Sequence, residues 1–174
     1  MLGAGMLGPL FAIFVEQIGG DILDVSWAYA TYLIVTGVGI ILVGKLADTF
    51  GSEWPMIGGY ALSALATFGY LLITTTPGLF VIQALQGVAL ALSQPTWLAL
   101  YDKFSGDGKA DGYIWGMSSG MGYAASGIGI IIGGFIVKIF SFDILFIVMG
   151  TILAVSTVYQ ATILEFRESR NPRK

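Results

Sequence analysis

Residues 27–47 read WAYATYLIVTGVGIILVGKLA, and this stretch decides the fold. Its 21 residues are almost all apolar, and Lys45 near the end is its only charged side chain. A helix of about 20 such residues is long enough to cross the hydrocarbon core of a bilayer. A helix also pairs its own amide and carbonyl groups, which find no water inside a membrane. The stretch therefore predicts a transmembrane helix.

Five further apolar runs of similar length fill nearly all of the remaining sequence, and the connections between them are short. The predicted spans cover residues 2–18, 27–47, 55–74, 79–101, 112–140 and 144–164, and residues 165–174 form a polar cytoplasmic tail. The first run could instead be a signal peptide, but it lacks a basic leader and a small-residue cleavage site. We expect an all-α polytopic membrane protein, a bundle of six transmembrane helices.

The composition of the chain excludes several classes of function. Hydrophobic residues make up 56% of the chain and charged residues 11%, whereas a soluble domain carries roughly 25% charged residues. The sequence has no cysteine and no histidine, which excludes disulfides, histidine-metal sites and cysteine- or histidine-based catalysis. We expect no cofactor, no metal and no enzyme activity, because no convergent set of carboxylates is visible either. The net charge of -3 does not indicate a nucleic-acid partner.

Basic residues predict how the chain lies in the membrane. With a cytoplasmic N-terminus, only Lys138 falls in an outside segment. The seven basic residues of the inside segments are Lys45, Lys103, Lys109, Arg167, Arg170, Arg173 and Lys174. This bias predicts a multi-pass protein of the cell membrane with both termini on the cytoplasmic side. All four tryptophans fall near predicted span ends, as an aromatic belt at the membrane surface requires.

Three motifs carry a resemblance to a known family. The turn after the second span reads GKLADTFG from Gly44 to Gly51, and it resembles the Gly-x-Leu-Ala-Asp-Arg-x-Gly signature of the major facilitator superfamily. Residues 83–87, QALQG, are similar to the Arg-x-x-Gln-Gly of that family's fourth span. On the fifth span, Gly120 followed by residues 129–134, GIIIGG, resembles the glycine pattern of the family's efflux members.

The resemblance implies one half of a carrier. Family members have two six-span halves, with the solute bound between them near the middle of the membrane. This chain resembles the N-terminal half, so it would need a second six-helix half, or a second copy of itself in a homodimer. The implied function is transport of an unknown small solute by alternating access, with efflux indicated by the fifth-span glycines. The alternatives are a non-transporting membrane scaffold or assembly subunit, and an inactive fragment of a longer transporter.

Several motif residues of the family are replaced here. Thr49 stands where an arginine usually follows the turn aspartate, and residues 52–53, Ser-Glu, replace the usual basic pair. Gln83 and Ile130 replace the fourth-span arginine and the fifth-span proline. Each lost basic residue weakens an interpretation as a proton antiporter.

The loop between the second and third spans is the predicted conformational latch, formed by Gly44, Asp48 and Gly51. In the family, the matching aspartate braces the cytoplasmic interface between the two halves. The glycines permit a tight turn between two helices. The alternative is an ordinary solvated carboxylate that marks a helix end.

Polar side chains on the fourth and fifth spans are the predicted substrate-cavity residues. Amides inside a membrane are costly unless they are paired or face an aqueous cavity. The candidates are Gln83, Gln86, Gln94, Tyr101, Ser119 and Tyr123. The competing interpretation is hydrogen bonding between helices of the bundle, worth about 0.6 kcal/mol or somewhat more. Pro95 is expected to kink the fourth span.

Glycines four residues apart on the fifth span predict close contact with a neighbouring helix, because small residues let two backbones approach. The predicted packing positions are Gly116, Gly120, Gly129, Gly133 and Gly134.

Overall fold

The computed structural model describes residues 5–50, 53–104 and 112–170, with side chains described except at 45–50, 53, 96–104, 113–115 and 163–170. The helices are α1 (Leu10–Gln17), α2 (Ile22–Phe50), α3 (Glu53–Gly69), α4 (Thr76–Phe104), α5 (Gly112–Ile139) and α6 (Phe142–Arg170). A 3-10 turn, Tyr70–Leu72, extends α3. These ranges contain no β-strand.

Five of the helices are long and apolar enough to cross a membrane. The apolar segments are Ile22–Gly44, Trp54–Leu72, Thr76–Pro95, Gly116–Ile139 and Phe142–Thr162. They overlap the second to sixth predicted spans. Large apolar side chains lie on the outside of the bundle, including Ile34 and Phe135 at 66% and 60% exposure. Such a surface suits lipid rather than water, which agrees with the predicted helical membrane fold.

The first predicted span differs from the structure. Residues 6–9 form a turn, and α1 begins only at Leu10. Gly8 has a φ of +25°, and the next residue, Pro9, has no amide hydrogen, so a continuous helix over residues 2–18 is interrupted. The eight residues of α1 reach about 12 Å, well short of the ~30 Å hydrocarbon core. The described residues therefore contain five candidate crossings rather than six.

The connection between α1 and α2 is a tight turn closed by two aspartates. Gly19 has a φ of +84°, a conformation that favours glycine. The side chain of Asp21 accepts hydrogen bonds from the amides of Leu23 and Asp24, at 2.8 and 3.0 Å. The side chain of Asp24 accepts one from the amide of Asp21 at 3.0 Å. This reciprocal cap satisfies backbone donors at the start of α2.

An aromatic cluster joins three elements near this turn. Tyr70 stacks on Phe146 of α6 with ring centroids 4.8 Å apart, and Phe14 of α1 meets Phe146 edge-on at 4.9 Å. Phe142 lies 5.4 Å from Phe14. Aromatic pairs of this geometry contribute about 0.5–1.5 kcal/mol each beyond buried area. The cluster fixes the ends of α1, α3 and α6 against one another.

Glycines bring α4 into close contact with α2 and α3. A Cβ atom added at Gly87 would lie 2.8 Å from the carbonyl oxygen of Tyr32, and the hydroxyl of Thr36 donates to the Gly87 carbonyl at 3.3 Å. A Cβ atom at Gly59 of α3 would lie 2.6 Å from the carbonyl oxygen of Ala89. Contacts this close leave no space for a side chain, so these glycines set the distance between the helices.

The fifth span is less enclosed than its neighbours. Within the apolar part of α5, 11% of residues are buried, compared with 39% for α4. A Cβ atom at Gly133 would overlap the backbone of Met6, and one at Gly5 would lie 2.8 Å from Ser126 Cα. On this side α5 contacts the residues before α1, and much of its remaining surface faces outward.

Candidate binding site

A partly open cavity of about 310 Å³ lies between the helices of the bundle. Its walls come from the segment around α1 and from α2, α3 with its 3-10 turn, α4 and α6. The described lining residues are Leu7, Gly8, Phe11, Tyr29, Tyr32, Ser63, Thr67, Tyr70, Gln83, Gln86, Met149 and Leu153. The volume is at the lower end of the range for small-molecule pockets, roughly 300–1,000 Å³.

The cavity lies near the middle of the membrane-spanning segments. Ser63 is the central residue of the apolar segment Trp54–Leu72, and Gln86 lies at the centre of Thr76–Pro95. At this depth an unpaired polar group is costly, because lipid offers it no hydrogen bonds. We therefore expect each polar group in the cavity to form a hydrogen bond with the protein, with water or with a ligand.

Gln86 has its partners within the protein. Its side-chain oxygen accepts a hydrogen bond from the hydroxyl of Ser63 at 2.9 Å, and its side-chain nitrogen donates to the hydroxyl of Thr67 at 3.0 Å. The Thr67 hydroxyl in turn donates to the carbonyl oxygen of Ser63 at 2.8 Å. This closed network ties α4 to α3 and fixes the orientation of the Gln86 amide.

Gln83 is placed differently, although it is only one turn of α4 away. Its side chain is 6% exposed and lines the cavity. It forms no hydrogen bond with any described residue. Its amide therefore presents one acceptor and two donors to the interior of the cavity.

The remaining walls are aromatic or apolar. Tyr29 and Tyr32 line the α2 side with ring centroids 5.8 Å apart, and Phe11 and Tyr70 add two more rings. None of the twelve described lining residues carries a carboxylate, ammonium or guanidinium group. The described part of the chain also holds no cluster of three acidic residues that could bind a metal ion. The cavity thus offers hydrogen bonds and apolar contact without an ionic partner.

The structure separates the other predicted cavity residues from this site. Gln94 is exposed, and it lies about 16 Å along α4 from Gln83, beyond the reach of the cavity. Ser119 and Tyr123 on α5 are exposed, with Tyr123 at 81%, and no residue of α5 is among the described lining residues. The side chain of Tyr101 lies outside the described residues. Of the six candidates, Gln83 and Gln86 line the cavity.

The predicted latch is only partly within the described residues. Gly44 lies in α2, and no atom of the described residues is within 4 Å of an added Cβ there. Asp48 belongs to the last turns of α2, and its side chain is not among those that the structure describes. Gly51 lies outside the described residues altogether. The latch remains a prediction.

The predicted packing glycines of α5 divide into two groups. Gly129 and Gly133 are buried, and Gly133 contacts the backbone of Met6. At Gly116, Gly120 and Gly134 an added Cβ atom would meet no atom of the described residues within 4 Å. A packing role for these three glycines remains a prediction and requires a neighbour other than the described helices.

Five of the seven polar side chains that line the cavity were not predicted from the sequence. Ser63, Thr67 and Tyr70 follow one another at spacings of four and three residues, so they share one face of the third span. Tyr29 and Tyr32 have the same property on the second span. This periodicity was visible in the sequence. In the structure the polar face of the third span contacts Gln86 of the fourth.

A bundle of apolar helices with a small, partly open polar cavity at mid-membrane depth is typical of a polytopic helical membrane protein. The sequence model of the Major Facilitator Superfamily matches residues 1–174. The chain belongs to the major facilitator superfamily.

Three relatives of this chain are named for resistance to an antibiotic or for its export. The chain is 30% identical over 159 residues to the tetracenomycin C resistance and export protein of Streptomyces glaucescens, which covers 91% of this chain and 29% of that protein. It is 24% identical over 162 residues to the methylenomycin A resistance protein of Streptomyces coelicolor, covering 93% and 34%. It is 29% identical over 152 residues to the methylenomycin A resistance protein of Bacillus subtilis, covering 86% and 31%. The chain spans about a third of the length of these curated relatives.

Proposed function

We propose that this chain is one six-span half of a carrier that exports a small organic solute across the cell membrane by alternating access. In this mechanism two bundles rock about a shared cavity, which opens first to one side and then to the other. The observation that carries the proposal is the amide of Gln83, which faces the cavity at mid-membrane depth without a hydrogen bond to any described residue. A purely structural bundle would gain stability from an apolar side chain here.

The relatives support the export direction. The Streptomyces glaucescens protein is named for resistance to tetracenomycin C and its export, and two others are named for resistance to methylenomycin A. Removal of a toxic compound from the cell is a direct way for a membrane carrier to give resistance. We infer a small organic compound as the solute of this chain.

A second bundle is part of the proposal. The apolar segments of α2 and α5 each have 11% of their residues buried, so both helices leave long faces for lipid or for another bundle. The relatives are about three times as long as the matched region, which leaves room for a second half. A homodimer is the alternative source of that half. The segment before α1 completes the sixth crossing in this proposal, and both termini lie in the cytoplasm.

The latch at the end of α2 belongs to the same mechanism. Asp48, with Gly44 and Gly51, would hold the cytoplasmic side of the two halves together in one state and release it in the other. Its position in the last turns of α2 is compatible with this role.

The test is an export assay on the protein encoded by the full reading frame that contains this chain. Everted membrane vesicles would be loaded from outside with tetracenomycin C or methylenomycin A as the first compounds. We expect Gln83→Leu to reduce the initial uptake rate about tenfold, because a buried hydrogen bond to the solute is lost. Gln94→Leu is the matched control, since it makes the same change at an exposed position of the same helix.

A non-transporting scaffold is the second candidate, and the missing basic residues at Thr49 and Gln83 favour it. The two candidates differ in the vesicle assay. Folded protein that moves no compound in any assembly, across a broad panel of small molecules, would contradict the transport proposal and support the scaffold.

A further inference from the structure

We propose that residues 5–8 form a movable strap that hinges at Gly8 and Pro9, follows α5, and widens or narrows the open side of the cavity. The strap is the part of the chain that leads into α1. Its part in the change of state of a carrier rests on the proposed function. The movement itself does not, because it concerns contacts among the described residues.

The break before α1 provides the hinge. Gly8 has a φ of +25° and Pro9 has no amide hydrogen, so the strap and α1 do not form one continuous helix. The eight residues of α1 reach about 12 Å from this break toward the turn before α2, so the break lies near the middle of the ~30 Å hydrocarbon core. A chain can change direction at one or two such residues while the segments on either side keep their structure.

On one side of the hinge, α1 is fixed to the bundle. The ring of Phe14 meets Phe146 of α6 and Tyr70 edge-on, with centroids 4.9 and 5.7 Å away. Val15 is fully buried, and a Cβ atom added at Gly20 would lie 2.6 Å from its side chain. These contacts hold α1 against the ends of α3 and α6.

On the other side of the hinge, the strap lies against α5 with the two backbones in contact. A Cβ atom at Gly133 would overlap the carbonyl group of Met6, and one at Gly5 would lie 2.8 Å from Ser126 Cα. Among the described helices, α5 has its main contact with α6, and 11% of its apolar segment is buried, compared with 39% for α4. The strap is therefore attached to a helix that is itself loosely held.

The side chain of Met6 keeps the strap in its docked position. It is fully buried and belongs to the hydrophobic cluster that contains Phe11 and Phe14. A methionine side chain is unbranched and flexible, so it leaves and re-enters such a cluster with little rearrangement of its neighbours. The strap thus has a docked position, which the structure shows, and an undocked position in which Met6 leaves the cluster.

The strap borders the open side of the cavity. Leu7 and Gly8 line the cavity, and no residue of α5 is among the described lining residues. Gly8 and Tyr29 are the exposed members of the described lining, so the cavity opens between the strap and the first turns of α2. Movement of α5 therefore reaches the cavity through the strap. A second half placed against this side would share the opening, in agreement with a solute site between two halves.

The experiment measures how fast N-ethylmaleimide reacts with single introduced cysteines, because the 174-residue chain has none of its own. The protein is the product of the full reading frame in lipid nanodiscs, with any cysteine outside this chain replaced by serine. Met6→Cys reports on the strap, Met149→Cys on the cavity wall and Val15→Cys on α1, and these three side chains are at most 4% exposed. A buried thiol reacts only while its cover is open, so the rate reports the open fraction.

The unmodified hinge gives the first result. We expect the thiol of Met6→Cys to react at least about fivefold faster than that of Val15→Cys, although both native side chains are fully buried, because the strap undocks and α1 does not. Equal rates at the two positions would overturn the proposal.

Gly133→Ala adds a Cβ atom where the backbone of Met6 lies. We expect the thiols of Met6→Cys and Met149→Cys to react at least about fivefold faster in this background, because the strap is pushed out of its docked position. The thiol of Val15→Cys should stay within about twofold, because α1 lies beyond the hinge. Gly134→Ala is the matched control: an added Cβ atom meets no described atom within 4 Å, so all three rates should stay within about twofold.

Gly8→Ala tests the hinge independently of Gly133→Ala. Alanine disfavours a φ of +25°, so the docked strap is strained, and we expect the strap and cavity thiols again to react at least about fivefold faster. Equal acceleration of all three thiols would show general loosening and overturn the hinge. A faster strap thiol with an unchanged cavity thiol, or no change at either, would overturn the role of the strap at the cavity.

The labelling rates also separate this inference from the proposed function. Export by the full-length protein, with equal rates on the strap and on α1, would refute the strap and leave transport standing. Undocking of the strap in a protein that exports no compound would leave the strap standing and refute transport.

Discussion

Two neighbouring regions of α4 use the same side chain in opposite ways. At Gln86 the amide is bound to Ser63 and Thr67, and it helps to hold α4 against α3. At Gln83, one turn earlier, the amide is 6% exposed and has no hydrogen bond to the described residues. A polar group at mid-membrane depth thus has two uses, packing between helices or contact with a ligand. The comparison separates residues that build the bundle from residues that are available to a solute.

A side chain at Gly59 of α3 is expected to disrupt the packing of α3 against α4 more than any other change proposed here. A Cβ atom there would lie 2.6 Å from the carbonyl oxygen of Ala89 and 2.9 Å from the amide nitrogen of Ser93, so two backbones would have to separate. We expect Gly59→Leu to yield little folded protein, measured as the monodisperse fraction in size-exclusion chromatography in detergent.

Gly58→Leu is the matched control for this prediction. At Gly58 an added Cβ atom would meet no described atom within 4 Å, so we expect a normal monodisperse fraction. Equal behaviour of the two variants would show that α3 and α4 do not approach as closely as described.

Asp48, near the end of α2, is a third kind of polar group, because its proposed role is in the conformational change of the carrier. We expect Asp48→Ala to slow export about tenfold while the yield of folded protein in the membrane stays the same, because the proposed latch acts between states of the carrier. The measurement is the initial rate in everted vesicles, normalised to the amount of protein inserted. A loss of insertion or yield as the main effect would contradict the latch.

The network around Gln86 predicts a smaller effect at Thr67. Thr67→Val keeps the shape of the side chain and removes the hydroxyl that accepts from Gln86 at 3.0 Å. We expect the free energy of unfolding in mixed micelles to fall by about 0.5–1 kcal/mol. Thr151→Val is the control, because the exposed hydroxyl of Thr151 bonds to the Ile147 carbonyl of its own helix at 2.7 Å. An equal loss at both positions would argue against the network.

The smallest effect is expected on the outer face of α5. Gly116 meets no described atom within 4 Å, so Gly116→Leu should change the free energy of unfolding of the chain by less than about 0.5 kcal/mol. Gly133→Leu should destabilise it strongly, because Gly133 contacts the backbone of Met6. A large loss of stability in Gly116→Leu would show that this face is already packed within the chain.

Much of the fold could be predicted from the sequence, because lipid imposes a simple rule on length and polarity. Runs such as residues 27–47 and 144–164 correspond to helices with apolar segments long enough to cross a membrane. The exception is the first run. There Gly8, with its positive φ, and Pro9 interrupt the helix. The average hydrophobicity of the run does not reveal such a local interruption.

The site was predicted less completely, because the sequence does not show which helices are neighbours. Gln83 and Gln86 were predicted as one polar group, and both line the cavity, but their different hydrogen bonding depends on Ser63 and Thr67 of another helix. Tyr123 was placed with them by its polarity, and it is 81% exposed because α5 turns that face away from the cavity. Periodicity within one helix identifies a polar face, and only the packing shows what the face meets.

The central claim is that Gln83 is reserved for a ligand and Gln86 for the bundle, and the free energies of unfolding of two variants test it most directly. Gln83→Leu and Gln86→Leu would be unfolded side by side in mixed micelles without any added solute. We predict that Gln83→Leu is as stable as the unmodified chain, or more stable by up to about 1 kcal/mol, because the amide that is removed has no hydrogen bond to a described residue. Gln86→Leu should lose about 1–2 kcal/mol, because Ser63 and Thr67 lose their partner. A loss in Gln83→Leu as large as that in Gln86→Leu would contradict the account, since it would make Gln83 a packing residue as well.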